Sequence, residues 1–145
     1  MERVLVEVDD TAGAFHAAEV AIGLAAAIGA ELRVVTVVED HVLDDRLAAA
    51  AIPDAARRRA QGAVAMLDRV AARAKAAGVE AETSALSGGA AEQVLAAARR
   101  SDADLIVVAL EHRHQARAPY LGAKVQHILE FAEVPVLVVP PRPNR

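Results

Sequence analysis

Hydrophobic and polar positions divide the chain into short β-branched runs and longer alanine-rich segments. Runs of about four to eight apolar residues favour strands, whereas apolar residues three or four apart favour helices. The runs that predict strands cover residues 3–8, 32–38, 79–86, 104–110 and 134–139. The segments that predict helices cover residues 14–28, 53–77 and 90–100, a short piece at 47–52 and a last helix that begins at Gly122. This alternation predicts an α/β fold in which helices cover both faces of a parallel sheet.

The same pattern predicts which positions are buried. The unbroken apolar run at 104–110 predicts a strand buried on both faces, whereas the polar positions that alternate through 79–86 predict a half-exposed edge strand. We expect two apolar helix stripes to face the core, namely Val64, Leu67, Val70, Ala71 and Ala74, and Val125, Ile128, Leu129 and Ala132. Ligands of such sheets bind beyond the carboxyl ends of the strands. The loops at that edge are residues 9–13, 39–41, 87–89 and 111–122.

Composition limits the classes of function. The chain has 145 residues, a formal net charge of −4 and neither Cys nor Trp. Its length predicts a single domain over residues 1–140, followed by a short Pro/Arg tail at 141–145. Without Cys, disulfide frameworks and thiolate metal sites are excluded. Few aromatic residues and an acidic balance also argue against a nucleic-acid partner.

The sequence gives no sign of a membrane partner. The longest uncharged apolar stretch, residues 20–30, is too short to span a bilayer. The first residues, Met1-Glu2-Arg3, lead directly into an apolar run and lack the features of a secretory signal. We therefore expect a cytoplasmic protein.

Five segments carry a resemblance to a known family by their order and spacing. They are residues 4–9 (VLVEVD), 29–32 (GAEL), 91–95 (AEQVL), 103–108 (ADLIVV) and 134–139 (VPVLVV). Together they resemble the universal stress protein family over nearly the whole chain. The resemblance implies a five-stranded Rossmann-like parallel sheet with strand order 3-2-1-4-5 and helices on both faces. It also implies homodimers, a role in the stress response and, in one branch of the family, ATP binding.

The ATP-binding branch has a phosphate motif after the fourth strand: glycine, two residues, glycine, nine residues, then glycine and serine or threonine. In this chain the resemblance puts Ala109, His112, Gly122 and Ala123 at those positions, so only the third glycine is present. Glycines let backbone N–H groups approach phosphate without a side chain in the way. The amino end of the helix at Gly122 remains a general anion site, and Lys124 adds a positive charge beside it.

The resemblance also implies a nucleoside end of the crevice. It puts Asp9 on the adenine side, and the further candidate nucleotide-binding residues are Thr11, Val37, Val38 and Val108. Glu7 precedes Asp9 by two residues and therefore shares its strand face. A second carboxylate there disfavours an anionic ligand, so we expect no required cofactor. ATP or another adenine nucleotide stays open as an alternative.

A further alternative is a metal site. Glu7, Asp9, His112 and His114 come from loops that should converge on the same crevice. Imidazoles and carboxylates hold hard or borderline divalent ions, and such a site would support metal-dependent hydrolysis. The competing interpretation of residues 111–114 is an exposed polar loop. No catalytic residue is assigned.

The last strand predicts a partner. It contains no charged residue and comprises Val134, Pro135, Val136, Leu137, Val138 and Val139. The resemblance puts this strand at the sheet edge, where an uncovered apolar strand is an aggregation hazard. Pairing with a second copy across a two-fold axis would cover it. The leading hypothesis is therefore a non-catalytic, dimeric adaptor with a degenerate nucleotide crevice, which contacts another protein or a small ligand during stress.

Overall fold

Strands and helices alternate through the parts of the chain that the computed structural model describes, residues 1–38, 53–110 and 121–143. The strands are β1 (Arg3–Glu7), β2 (Glu31–Val38), β3 (Ala81–Ser87), β4 (Leu105–Ala109) and β5 (Val136–Val139). The helices are α1 (Ala12–Ile28), α2 (Pro53–Ala76), α3 (Ala90–Arg100) and α4 (Ala123–Phe131). The helical piece expected at 47–52 lies outside the described residues.

All neighbouring strands pair in parallel, in the order β3-β2-β1-β4-β5. This confirms the predicted fold class and strand order. Two strand starts differ from the prediction: β3 begins at residue 81 and β5 at residue 136. The β5 start follows from Pro135, which has no N–H for the ladder, although its carbonyl accepts a hydrogen bond from the Ile106 N–H (3.0 Å).

The sheet separates two apolar layers. Val4, Val6 and Val8 of the first strand and its extension pack on the side of α1 and α2. Leu5 faces the opposite side with α3 and α4, because successive side chains of a strand alternate. Leu105 to Val108 of β4 are all buried, as predicted for a central strand. β3 is largely exposed, as predicted for an edge strand.

Local capping chemistry sets the bounds of α1. The helix begins two residues before its predicted start because the Thr11 hydroxyl accepts the Ala14 N–H at 3.1 Å, which is an N-cap contact. It ends at Gly29, whose φ of 68° is left-handed and whose N–H donates to the Ala25 carbonyl. Glycine adopts this conformation without steric cost.

Two predicted inward positions are wrong. Val64 of α2 and Leu129 of α4 are each 43% exposed. In α2, Ala63 and Met66 are buried instead. Because alanine occupies many helical positions, the apolar stripe of each helix is broad. The sequence therefore does not fix which side of the stripe faces the core.

The segment after β5 is not free. Arg142 donates from Nε to His16 Nδ1 (2.9 Å) and from Nη2 to Glu19 Oε1 (3.0 Å), which fastens the tail to α1. His127 of α4 also has a partner, because its ring lies 4.9 Å from that of Phe131. Both histidines therefore have structural contacts.

Candidate functional site

The candidate crevice lies where β1 and β4 end and α4 begins. Asp9 follows β1, and its Oδ1 accepts both the Thr11 N–H (2.9 Å) and the Thr11 hydroxyl (2.5 Å). The same hydroxyl caps α1 through Ala14. Two predicted nucleotide-binding residues are thus joined in one turn, where each already orders the start of a helix.

A buried ion pair links the first strand to the last helix. Lys124 Nζ lies 3.0 Å from Glu7 Oε2 and 3.2 Å from Oε1. The side chain of Glu7 is 7% exposed and that of Lys124 is 16% exposed. The lysine therefore neutralises a carboxylate of the chain itself, in the turn of α4 where it was expected to add charge for an anionic ligand.

The amino end of α4 keeps part of the predicted anion site. Gly122 is buried and occupies the N-cap in an extended conformation, without a side-chain capping bond. Its carbonyl accepts the Gln126 N–H at 3.0 Å. Ala123 is exposed and offers no hydroxyl. The end of the helix can thus contribute N–H groups and a partial positive charge, but no polar side chain at Gly122 or Ala123.

The valines predicted for the base separate onto two faces. Val37 packs against the layer under α3 and α4, which is the face of Leu5 and Glu7. Val38 is its neighbour in the strand and points to the other face. Val108 is fully buried and Ala109 is half-buried. Val37 is therefore the valine of β2 that shares the Asp9 side of the sheet.

The described residues proposed for a metal site, Glu7 and Asp9, have other partners. Glu7 is engaged by Lys124 and Asp9 by Thr11. His112 and His114 lie outside the described residues. Within residues 1–38, 53–110 and 121–143, no group of three or more His, Asp or Glu side chains is arranged to hold a metal ion.

The ion pair is the feature of the site that sequence reasoning missed. The signal was present, because Glu7 interrupts an apolar strand next to the buried Val6 and Val8. A buried carboxylate in such a strand requires a cation or hydrogen-bond donors. The sequence could not identify the cation, since Lys124 is 117 residues away along the chain.

Comparison with known proteins decides the family. The model of the universal stress protein family matches residues 1–140. The chain belongs to the universal stress protein family. This confirms the resemblance on which the predicted strand order and crevice depended. Within the described residues, no helix is long and apolar enough to cross a membrane.

Solved universal stress proteins share this fold. UspA from Lactobacillus plantarum is 18% identical with a TM-score of 0.79, and the match covers 95% of this chain and 97% of that one. A family member from Burkholderia pseudomallei is 28% identical with a TM-score of 0.72, covering 97% and 96%. A universal stress protein solved in complex with cAMP is 24% identical with a TM-score of 0.71, covering 96% of each chain.

Proposed function

We propose that this universal stress protein is a non-catalytic, dimeric binding protein of the cytoplasm that acts in the stress response without ATP. Its partner is another protein or a small ligand. The proposal combines the family assignment with a crevice that has lost the residues which would hold a triphosphate.

The Glu7–Lys124 pair is the observation that carries the proposal. A triphosphate at the amino end of α4 would meet a buried carboxylate whose neutralising lysine is already engaged. Moving Lys124 to the phosphates would leave Glu7 as an unpaired buried charge, which is costly. The sequence adds that three of the four motif positions, Ala109, His112 and Ala123, lack the glycine or hydroxyl of the ATP-binding branch.

The test is thermal unfolding with and without millimolar Mg²⁺–ATP. A ligand that binds only the native state raises the unfolding midpoint by mass action. We expect no shift for the wild-type chain, because the first two glycines of the motif are replaced and Lys124 is engaged by Glu7. A saturable rise in the midpoint would refute ATP-independent function.

A restored variant provides the matched comparison. Ala109→Gly, His112→Gly and Ala123→Ser together rebuild the phosphate motif. Adding Glu7→Gln removes the negative charge that engages Lys124. We expect the combined variant to gain a rise in midpoint with Mg²⁺–ATP that the wild type lacks, which shows that the assay detects binding in this crevice.

Homodimerisation through β5 is the second part of the proposal. The strand is at the sheet edge, carries only Val and Leu side chains, and keeps three of its four residues half-buried in the monomer. Antiparallel pairing of two copies would satisfy the outer backbone groups of this edge. Val134 and Pro135 precede the strand and would border the contact.

Binding of an adenine mononucleotide is the second candidate function. One relative of the same fold was solved with cAMP, a ligand with a single phosphate. The amino end of α4 suits one phosphate better than three, and Asp9 and Val37 lie on the same side of the sheet. Adding cAMP and AMP as separate arms of the thermal-shift experiment distinguishes this candidate, since a shift with these ligands alone would favour it.

A further inference from the structure

We infer that an open groove between α3 and β3, distinct from the crevice, binds a small amphipathic carboxylate: a short acyl or aryl chain with one anionic end. The groove has a volume of about 210 Å³. It is lined by side chains of β1, β2, β3 and α3, and nothing in the proposed function above depends on it.

The groove exists because helices cover the two faces of the sheet unequally. On one face α2 packs on both β2 and β3, whereas on the other α3 packs on β2. Glu82 and Ser84 of β3 are exposed and line the groove on the α3 side. A strip of sheet surface beside the helix is therefore open along the length of β3.

Apolar side chains form the floor of one end of the groove. Val35 is 4% exposed and Leu86 is half-buried, and Ala97 of α3 stands opposite them. Leu5 lies beneath, fully buried. This surface can contact a hydrocarbon chain or an aromatic ring without desolvating a charged group.

The opposite end of the groove is polar and basic. Arg33 is level with Glu82 in the sheet register and forms an ion pair with it. Leu86 lies four residues further along β3, a distance of about 13 Å. Arg100 and Ser101 end α3 just before β4 begins, and so stand at the same end as Arg33.

The charges at this end leave one cation for a ligand. Glu82 offsets Arg33, whereas Arg100 is exposed and forms no ion pair with any residue in the described part of the chain. The side chains that line the groove thus carry two positive charges and one negative charge, in a protein whose net charge is −4. A planar guanidinium matches a carboxylate through two parallel N–H···O bonds.

The size of the groove limits the ligand. Sites for drug-sized molecules have volumes of roughly 300–1,000 Å³, and this groove is smaller and open to solvent. A ligand with a short chain can place its carboxylate at Arg100 and its tail along Val35 and Leu86. Octanoate has this form and serves as the probe.

The experiment is a titration of isotopically labelled full-length protein with octanoate, followed by amide NMR spectra. We expect saturable shifts concentrated at residues 82–86 and 97–101. Octanol, which has the same chain without the charge, should bind more weakly. A lack of saturable shifts at millimolar octanoate, or equal binding of octanol, would overturn the inference.

Two arginines that are adjacent in α3 supply the matched variants. Arg100→Gln removes the cation of the groove and should weaken octanoate binding about fivefold, as expected for an exposed charge pair. Arg99→Gln makes the same change of charge, but Arg99 points to Glu133, with Nη1 4.0 Å from Oε1, and should leave the affinity unchanged. Equal effects of the two variants would refute a specific contact.

A third variant tests occupancy of the groove directly. Ser84→Phe places an aromatic ring in the apolar part of the groove from an exposed position of an edge strand, where it does not disturb the core. We expect it to abolish octanoate binding without lowering the unfolding midpoint. Unchanged octanoate affinity in a folded Ser84→Phe protein would place the ligand elsewhere.

Discussion

Thr36 shows how a single hydroxyl can oppose the packing around it. The residue is 0% exposed, and its Oγ1 has no hydrogen-bond partner among the residues that the structure describes. It lies near the carboxyl end of β2, level with Ala85 of β3 in the sheet. Burying a hydroxyl without a partner costs about 1–3 kcal/mol, so this position lowers the stability of the fold.

Thr36→Val should therefore stabilise the protein by about 1 kcal/mol, because Val fills nearly the same space without a polar atom. Urea unfolding measures the change in free energy. Thr83→Val is the control, since Thr83 is an exposed residue of the neighbouring strand and its substitution removes no buried hydroxyl. A loss of stability in Thr36→Val would mean that the hydroxyl has an important partner after all.

For individual residues, the sequence predicted the strand face on which the carboxylates lie but not the residues that they contact. The alternation of β1 placed Glu7 and Asp9 on one face, where Lys124 reaches the first of them. The pairing itself depends on how α4 packs against the sheet, and α4 is distant in sequence. Local periodicity cannot specify such a contact.

Between elements, a carboxylate joins the beginnings of two strands. Asp104, just before β4, accepts the N–H groups of Glu2 (2.7 Å) and Arg3 (2.9 Å) with Oδ2. These hydrogen bonds, the Glu2 bond first, lower the pKa of Asp104 below its ordinary value of 3.8. The charged form is thereby favoured in the folded state, and it holds the start of β1 against β4.

The pH dependence follows from the direction of this shift. A carboxyl group whose folded pKa is lowered stabilises the fold above its unfolded pKa and loses that effect as the pH falls through its folded pKa. Asp104→Asn should be less stable than wild type at neutral pH, and the difference should shrink as the pH falls below 3.8.

Urea unfolding at several pH values measures this dependence. Asp102→Asn is the control, because the Asp102 carboxylate accepts no backbone hydrogen bond within the described structure and Asn tolerates its φ of 51°. A stability difference for Asp104→Asn that stays constant down to acid pH would contradict an electrostatic role for the carboxylate.

Element positions were largely predictable from sequence, whereas some bounds were not. The β-branched runs predicted the strands, and Gly29 predicted the end of α1. Both signals are local, and tertiary packing did not override them. The start of β5 moved because Pro135 enters the ladder only through its carbonyl. Leu129 was predicted to face the core but is 43% exposed, because the spacing of apolar residues in α4 does not by itself fix which side of the helix packs against the sheet.

For the whole molecule, the two sheet edges differ in chemistry. β3 exposes polar and charged side chains such as Glu82, which discourage pairing with another strand. β5 exposes no charged residue. The polar pattern of β3 and the uncharged composition of β5 are visible in the sequence, and the family resemblance placed β5 at the sheet edge.

Val136→Lys should weaken the proposed dimer by at least about tenfold, because a lysine on an edge strand opposes strand addition. Sedimentation velocity across a concentration series measures the change. Thr83→Lys on the opposite edge is the matched control and should leave the dimer intact. A wild-type monomer at micromolar concentration, or dissociation caused by the Thr83 variant instead, would contradict pairing through β5.

The candidate site was predictable in part. Sequence and resemblance proposed Asp9 and Gly122 as site residues and showed which positions of the phosphate motif lack glycine. They did not show that Lys124 is committed to Glu7. The contact of Asp9 with Thr11 is local, within one turn of the chain, whereas the Lys124–Glu7 pair depends on how α4 packs against the sheet.

The contacts of Arg142 with His16 and Glu19 determine where anything joined to the carboxyl end will emerge. Since the Arg142 side chain bonds to His16 and Glu19 of α1, a fluorescent protein or affinity tag fused after Pro143 would depart beside α1 rather than prolong the last strand. Attachment after Pro143 should therefore leave the outer border of the sheet accessible to a second copy.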